Sequence, residues 1–167
     1  FESINTDLIL GLPGEGVDEA LRSLEDVLRV RPENITIHTL SIKNASEFAR
    51  ERLKELPGSD TTEKMVEAVH RALMKEGYAP YYLYRQKYMS GNLENVGFTL
   101  PGYEGIYNID VMEETVDNMA FGAGGISKRL FREQNRIERA ANVKDVRHYV
   151  TRTEEMIHRK KVLFEKE

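Results

Sequence analysis

Residues 4–14, Ile-Asn-Thr-Asp-Leu-Ile-Leu-Gly-Leu-Pro-Gly, decide the fold of this 167-residue chain. The apolar run Ile4–Leu12 is typical of a strand that is buried on both faces, as strands of parallel sheets are. Pro13-Gly14 ends the run, and a stretch with helical spacing of apolar residues follows until Pro32. Since Ile35–Ile42 alternates as a second strand, the order predicts a βαβ unit with parallel strands.

The rest of the chain reads as shorter elements, and we place a domain boundary at about residue 78, between residues 1–77 and 78–167. In chain order the patterns predict a short helix Phe48–Leu56, a helix capped by Asp60 and ended by Gly77, an extended tyrosine-rich segment 78–88, a loop-rich stretch 89–109, a small strand Met119–Gly125, an extended pair within Arg129–Arg139, and a long amphipathic helix from Val143 towards Phe164.

Composition narrows the class of protein. The chain has no cysteine, which excludes disulfides, thiolate-ligated zinc, iron–sulfur ligands and a cysteine nucleophile within it. This suits a reducing compartment, and we expect a cytoplasmic protein. No apolar run approaches the roughly 18 residues of a membrane span, so no membrane partner is predicted. The four histidines lack metal-ligand spacing, so we predict no metal site: His38, His70, His148 and His158.

Charge is uneven along the chain. The formal net charge is -4, yet residues 128–167 hold 12 Lys/Arg against 7 Asp/Glu. A basic segment of this kind could face nucleic acid or an acidic ligand. Acidic residues interrupt it throughout, however, so a solvated helix face is the favoured interpretation and we predict no nucleic-acid partner.

Asp7 is the most informative polar residue, because a carboxylate inside an apolar strand is costly to bury without hydrogen bonds. Ligands of parallel sheets gather at the carboxyl ends of the strands. Chemistry alone leaves two equal readings for Asp7: binding of sugar hydroxyls, or capping of a main-chain N–H. His38 reads more simply as a satisfied core histidine. Gly122–Ser127 is not a dinucleotide fingerprint, since no clear helix follows it.

Ile4–Gly14 closely resembles the N-x-D-L-I-x-G-L-P-G segment of oxygen-independent coproporphyrinogen III oxidases, radical SAM enzymes of the HemN type. Ile35–Ile42, followed by Lys43–Ser46, resembles the next strand of that family. Two later segments, Tyr88–Phe98 and Met119–Ser127, are most similar to its HemZ branch, the coproporphyrinogen dehydrogenases. The resemblance runs from about residue 3 to residue 164.

The resemblance implies an α/β fold in which residues 1–77 form the last two strands and helices of a partial (β/α)6 barrel. Residues 78–167 would form an α+β C-terminal extension that ends in a long helix. In the family, a 4Fe-4S cluster on a C-x3-C-x2-C loop binds S-adenosyl-L-methionine and cleaves it to a radical. That radical abstracts hydrogen from a propionate of the porphyrinogen substrate, and decarboxylation leaves a vinyl group on the route to haem.

This chain lacks the cluster motif, so the resemblance makes it a C-terminal fragment of a longer parent. Alone it is expected to bind neither cofactor and to hold no catalytic residue. The resemblance assigns S-adenosylmethionine contacts to Asp7 at the ribose, to Ile9 against the adenine, and to the backbone near Ser41. Tyr81 and Arg85 are suggested as substrate contacts, because residues 78–88 stand where the family's first C-terminal segment does.

A chain that starts at the fifth barrel strand would leave strand 4–12 with an unpaired edge, and we expect self-association to cover it. Two alternatives to the oxidase remain open. One is a haem-binding chaperone of the same superfamily, and the other is a free-standing α/β interaction module with an accidental motif. An upstream C-x3-C-x2-C motif in the reading frame would favour the oxidase or the chaperone.

Overall fold

The computed structural model describes residues 1–41, 56–84 and 93–166. They divide into two compact units, Phe1–Ile109 and Asp110–Glu167. Unit 1 is built on one four-stranded sheet with the spatial order β1-β2-β4-β3. Its strands are β1 (Asn5–Leu10), β2 (Asn34–Thr39), β3 (Ala79–Tyr84) and β4 (Asn95–Thr99), and its long helices are α1 (Val17–Val30) and α2 (Ser59–Lys75).

The predicted βαβ unit is confirmed. β1 and β2 are parallel, with Asp7 level with Thr36 and Ile9 level with His38. α1 begins at Val17 and ends where Arg31 takes a left-handed conformation (φ 48°), one residue before Pro32. β4 runs antiparallel to β2 and to β3. It follows that β1, β2 and β3 all point the same way, and their carboxyl ends share one edge of the sheet.

Strand β4 corrects the prediction of a loop-rich stretch at 89–109. It lies between β2 and β3, and Phe98 in it is only 2% exposed. A further short helix, α3 (Ile106–Met112), also begins in that stretch. The sequence did not indicate this strand because it contains Gly97, and a glycine inside a strand usually weakens it. Here a Cβ at Gly97 would overlap the ring of Tyr82, so the close approach of that ring requires glycine.

The core of unit 1 lies between one face of the sheet and the two long helices. Alternate strand residues supply one side, and the apolar stripes of α1 and α2 supply the other. The fully buried members include Leu10, Ile35, Ile37, Phe98, Ala20, Leu24, Met65, Val69 and Leu73. The prediction that β1 is buried on both faces is wrong. Asn5, Asp7 and Ile9, on the face of β1 that points away from the core, are exposed.

The ends of α2 are set by glycines. Gly77 follows it at φ 88°, as predicted. The predicted cap at Asp60 is wrong, because Gly58 is the N-cap and makes no side-chain cap bond. The helix starts at Ser59, so Asp60 lies inside the first turn, where its charge still suits the helix dipole. The predicted helix Phe48–Leu56 lies almost wholly outside the described residues.

Unit 2 contains an antiparallel pair, β5 (Ile126–Phe131) and β6 (Arg136–Ala141). It confirms the extended pair predicted within Arg129–Arg139. A 3-10 turn at Arg132–Gln134 joins the two strands, and Asn135 after it is left-handed (φ 46°). The predicted strand Met119–Gly125 is wrong: Asn118 makes only an isolated bridge to Lys128, and Gly122 and Gly124 turn the chain at positive φ.

The long C-terminal helix is also corrected, since two helices stand in its place. α4 covers Val146–Thr151 and α5 covers Thr153–Phe164. Asp145 starts α4 by accepting a hydrogen bond from the backbone N–H of His148 (2.8 Å). At the break, the Thr153 hydroxyl bonds to the carbonyls of Tyr149 and Val150 (3.0 Å each). Threonine hydroxyls compete in this way with the helix ladder.

The boundary predicted at about residue 78 separates family segments and stays a prediction. β3 and β4, which follow it, hydrogen-bond into the same sheet as β1 and β2. None of the helices in the described part of the chain is both long and apolar enough to cross a membrane.

His70 on α2 is expected to make the stability of unit 1 depend on pH. Its ring packs against Phe98 (centroids 4.9 Å apart), and its buried Nε2 has no hydrogen-bond partner among the described residues. Burial lowers the pKa of His70 below its ordinary value of 6.5. Below about pH 6.5 the unfolded chain therefore binds a proton that the folded chain excludes, so stability falls as the pH drops from there to the folded pKa.

We expect the urea midpoint of the chain to fall between about pH 7 and pH 5, and the fall to shrink in His70→Leu. His158→Leu, at an exposed histidine of unit 2, is the matched control and should keep the fall. An equal fall in His70→Leu and in the unaltered chain would contradict the assignment to His70.

Candidate functional site

The sheet of unit 1 carries a second face, opposite the helices. Strand residues alternate between the two faces of a sheet. The residues of β1, β2 and β3 that alternate with the core residues therefore lie on this second face. We call it the polar face. Its members include Asn5, Asp7, Ile9, Thr36, His38, Tyr82 and Tyr84.

Asp7 lies on the outer strand of the polar face, between Asn5 and Ile9 of β1, with 58% of its side chain exposed. Its Oδ1 accepts a hydrogen bond from Asn5 Nδ2 (2.8 Å), and its Oδ2 lies 3.5 Å from His38 Nε2. Within the described residues no main-chain N–H donates to it, which disfavours the capping role. A carboxylate offers about four lone-pair sites, so it can still accept bonds from an incoming hydroxyl pair.

Thr36 and Tyr82 continue the network across the sheet. The Thr36 hydroxyl donates to Asn5 Oδ1 and lies 3.1 Å from the hydroxyl of Tyr82. Since Thr36 has one proton to give, Tyr82 is the donor of the second bond. Burial raises the pKa of the Tyr82 hydroxyl, which keeps that proton in place.

His38 and Tyr84 lie one step nearer the carboxyl edge. The Tyr84 hydroxyl is 3.1 Å from His38 Nδ1, and the two rings meet edge to face. His38 is hydrogen-bonded, as predicted, yet it lies on the polar face and outside the core. The rings of Tyr82 and Tyr84 are parallel, with centroids 6.4 Å apart.

Ile9 and Ser41 lie at the same edge. Ile9 follows Asp7 by two residues on the polar face and is 46% exposed. The backbone N–H of Leu40 donates to the carbonyl of Leu10 (2.9 Å), which places Ser41 just beyond the paired ends of β1 and β2. The structure therefore brings the three predicted cofactor residues to one edge of the sheet; their roles stay predictions.

The turn after β1 is held by one carboxylate. Glu15 Oε2 accepts hydrogen bonds from the backbone N–H groups of Gly11 (2.7 Å) and Leu12 (2.9 Å). Gly11 has φ 90°, and a Cβ there would lie 3.4 Å from Thr62 Cγ2. The sequence Gly-Leu-Pro-Gly-Glu thus closes the carboxyl end of β1 in one defined shape next to Ile9.

Tyr81, the suggested substrate contact, lies at an irregularity of β3. The register of β3 shifts between Pro80 and Tyr82, which leaves Tyr81 as the extra residue. Its hydroxyl accepts a hydrogen bond from Asn108 Nδ2 (2.9 Å), and its ring meets that of Tyr82 edge to face with centroids 4.7 Å apart. Arg85 lies outside the described residues. The substrate roles of both stay predictions.

Sequence reasoning missed Tyr82 and Tyr84 as members of the site. Their i, i+2 spacing puts two tyrosines on one face of a strand, and that signal was available. It did not say which face, because the shift at Tyr81 changes the alternation of β3.

Known proteins with a similar sequence or structure indicate the family of this chain. Over 99% of its length the chain is 46% identical to the oxygen-independent coproporphyrinogen-III oxidase-like protein HemZ of Bacillus subtilis, and it covers 34% of that protein. The structure superposes with a TM-score of 0.64 on coproporphyrinogen III oxidase (HemN) from Escherichia coli, described as a radical SAM enzyme. The chain corresponds to a C-terminal segment of the HemN-like family.

The HemN superposition covers 93% of this chain and 35% of HemN at 17% identity, so it shows the fold alone. It confirms the predicted mixed α/β fold as the C-terminal part of the HemN fold. The chain is also 27% identical, over 90% of its length, to the heme chaperone HemW of Lactococcus lactis. It spans about a third of the curated relatives it matches. No profile of a known protein family matches it.

The residues at the edge fit one of the two groups that the HemN-like family implies. An exposed carboxylate and an apolar side chain two residues apart on one face suit the ribose hydroxyls and the adenine of a nucleoside. The 4Fe-4S cluster does not fit, because the chain has no cysteine. Nor does any group of three or more His, Asp or Glu in the described ranges have the geometry of a metal site.

Several basic residues of segment 128–167 form ion pairs within unit 2. Glu155 lies between Arg152 (2.7 Å) and Arg159 (2.6 Å), and these guanidinium groups lower the pKa of its carboxyl. Glu114 accepts from Lys128 (2.9 Å) and lies 3.3 Å from Arg139. These pairs agree with the interpretation as a solvated surface.

Proposed function

We propose that the chain is the S-adenosylmethionine-contacting C-terminal segment of a cytoplasmic oxygen-independent coproporphyrinogen III oxidase. The observation that carries the proposal is the exposed Asp7 carboxylate on the polar face, within a segment 46% identical to HemZ. Asp7 accepts hydrogen bonds from the ribose hydroxyls, Ile9 packs against the adenine, and the backbone at Ser41 meets the adenine from β2.

In this proposal, the radical chemistry and the binding of cofactor and substrate depend on different parts of the parent protein. S-adenosylmethionine, with a 4Fe-4S cluster held elsewhere in the parent, supplies the radical chemistry that decarboxylates a porphyrinogen propionate. The residues of this chain bind and orient. Tyr81 and Arg85 contact the porphyrinogen. Alone, the chain is inactive, because the cluster's thiolate ligands have no source in a chain without cysteine.

Anaerobic turnover tests the proposal. The full-length protein that carries the chain is incubated with coproporphyrinogen III, S-adenosylmethionine and a reductant, and the porphyrins are separated by chromatography. We expect the coproporphyrinogen III to lose propionate carboxyl groups when it is incubated with the full-length protein, and to lose none when it is incubated with the chain alone. Absence of any decarboxylation by the cluster-loaded full-length protein would reject the oxidase.

A heme chaperone is the second candidate, since the HemW protein of Lactococcus lactis matches 90% of the chain at 27% identity. Transfer of haem by the full-length protein without substrate turnover would favour it. The third alternative, a free-standing module with an accidental motif, does not account for similarity over 99% of the chain.

We further propose that the chain self-associates through β1. In the described part of the chain this strand pairs with β2 alone, so its other edge offers main-chain donors and acceptors. Sedimentation velocity over a concentration series should show a mass that rises with concentration. The full-length protein, in which a preceding family strand would pair with β1, is the control. A monomeric mass at every concentration contradicts the proposal.

A further inference from the structure

The geometry points to His38 as a positioning residue for Asp7, held in its own place by Tyr84. Three strands contribute to the arrangement, which we call the His38 relay. The Tyr84 hydroxyl lies 3.1 Å from His38 Nδ1, and His38 Nε2 lies 3.5 Å from Asp7 Oδ2. The inference rests on the proposed function, because it concerns how the ribose-binding carboxylate is oriented.

The chemistry of the three groups sets the direction of the bonds. The contact between His38 Nε2 and Asp7 Oδ2, at 3.5 Å, is longer than an ordinary hydrogen bond, and because a carboxylate only accepts, Nε2 has to carry a proton for the two to attract each other. In the neutral ring the other nitrogen, Nδ1, is then an acceptor, and the Tyr84 hydroxyl donates to it. Tyr84 thereby selects the tautomer that points its N–H towards Asp7, as second partners of histidine commonly do.

The relay matters because Asp7 is exposed. With 58% of its side chain in solvent, a lone aspartate would move between rotamers, and a ligand would have to stop that motion on binding. Asn5 holds Oδ1 at 2.8 Å, and His38 lies beside Oδ2. Two neighbours on opposite oxygens orient the plane of the carboxylate and leave lone pairs for two adjacent hydroxyls.

The position of the relay agrees with this role. His38 has 22% of its side chain exposed and stands level with Ile9, the proposed adenine contact. Asp7 from β1 and Tyr84 from β3 are the groups that hydrogen-bond or pair with its ring nitrogens among the described residues. Both ring nitrogens of His38 therefore face a polar group of the polar face, and the one beside Asp7 is the one that can orient the carboxylate.

Binding of S-adenosylmethionine to the full-length protein, measured by equilibrium dialysis, tests the relay. His38→Ala should weaken binding by about three- to tenfold through the lost ordering of Asp7. His38→Gln retains an N–H donor and an acceptor on one side chain, and it should restore binding to within about twofold. Tyr84→Phe keeps the ring and loses the donor, so it should weaken binding by about two- to threefold.

A double-mutant cycle separates positioning from a general structural effect. In an Asp7→Ala background, His38→Ala should cost no further affinity. If the full loss persists there, or if His38→Gln fails to restore binding while its circular dichroism matches the parent, the positioning role is overturned. Unchanged binding in His38→Ala with weakened binding in Asp7→Ala overturns the relay and leaves the ribose role standing. Unchanged binding in Asp7→Ala overturns both.

Discussion

Replacing Asp7 with alanine in the full-length protein is expected to weaken S-adenosylmethionine binding by roughly ten- to a hundredfold. Hydrogen bonds to a charged group contribute about 1.5–3 kcal/mol each, and about 1.4 kcal/mol is a factor of ten in affinity. Asp7 is the exposed carboxylate of the polar face, with Asn5 Nδ2 and His38 Nε2 beside its two oxygens. Its removal takes away the proposed acceptor for the ribose hydroxyls.

Two further variants sharpen this test. Asp7→Asn keeps the size and one acceptor oxygen, so its loss should be smaller than that of Asp7→Ala. Asp26→Ala makes the same chemical change on α1, where Asp26 is 70% exposed and pairs with Arg29, and it should bind normally. Equal affinities for Asp7→Ala and Asp26→Ala would refute the ribose role of Asp7.

The second large effect concerns the fold. Phe98→Ala should destabilise unit 1 by about 3–5 kcal/mol, the usual cost of truncating a buried phenylalanine. Phe98 is 2% exposed on the strand between β2 and β3, level with Ile35 and Pro80, and it packs against His70. A loss of this size is a large part of the stability of a typical domain.

Urea unfolding of the chain, followed by tyrosine fluorescence, measures the loss. The chain has no tryptophan, and every tyrosine except Tyr149 lies in unit 1, so the signal reports mainly on that unit. Phe1→Ala is the matched control, since Phe1 is fully exposed, and it should change stability by less than about 0.5 kcal/mol. A cost at Phe98 below about 1 kcal/mol would contradict its place in the core.

The local signals in residues 4–42 were sufficient for the first part of the fold. An apolar run ended by Pro13-Gly14, one helical stripe and a stop at Pro32 each act over a few residues, and β1, α1 and β2 followed them closely. The same stretch held the motif that led to the HemN-like family. All three predicted cofactor residues lie in this stretch, and the shared face of Asp7 and Ile9 follows from strand alternation within β1.

Other elements depended on partners that are distant in sequence. β4 has five residues, two of which are Asn95 and Gly97, and nothing local marks it as a strand. Its pairing with β2 and β3, and the ring of Tyr82 across Gly97, make it one. The break between α4 and α5 is different, because its signal is local. Thr153 marks the break, but the helical spacing of apolar residues from Val143 to Phe164 predicts one continuous helix.

By itself, then, the sequence determined the βαβ start, the family and the carboxylate on which the site depends, because these rest on residue order within short segments. Only the tertiary structure decided what surrounds that carboxylate. His38 is 31 residues from Asp7 and Tyr84 lies 46 residues beyond His38, and only the parallel alignment of β1, β2 and β3 brings them together at one edge. Strand pairing of that kind depends on burial and register across the whole sheet, which no short segment encodes.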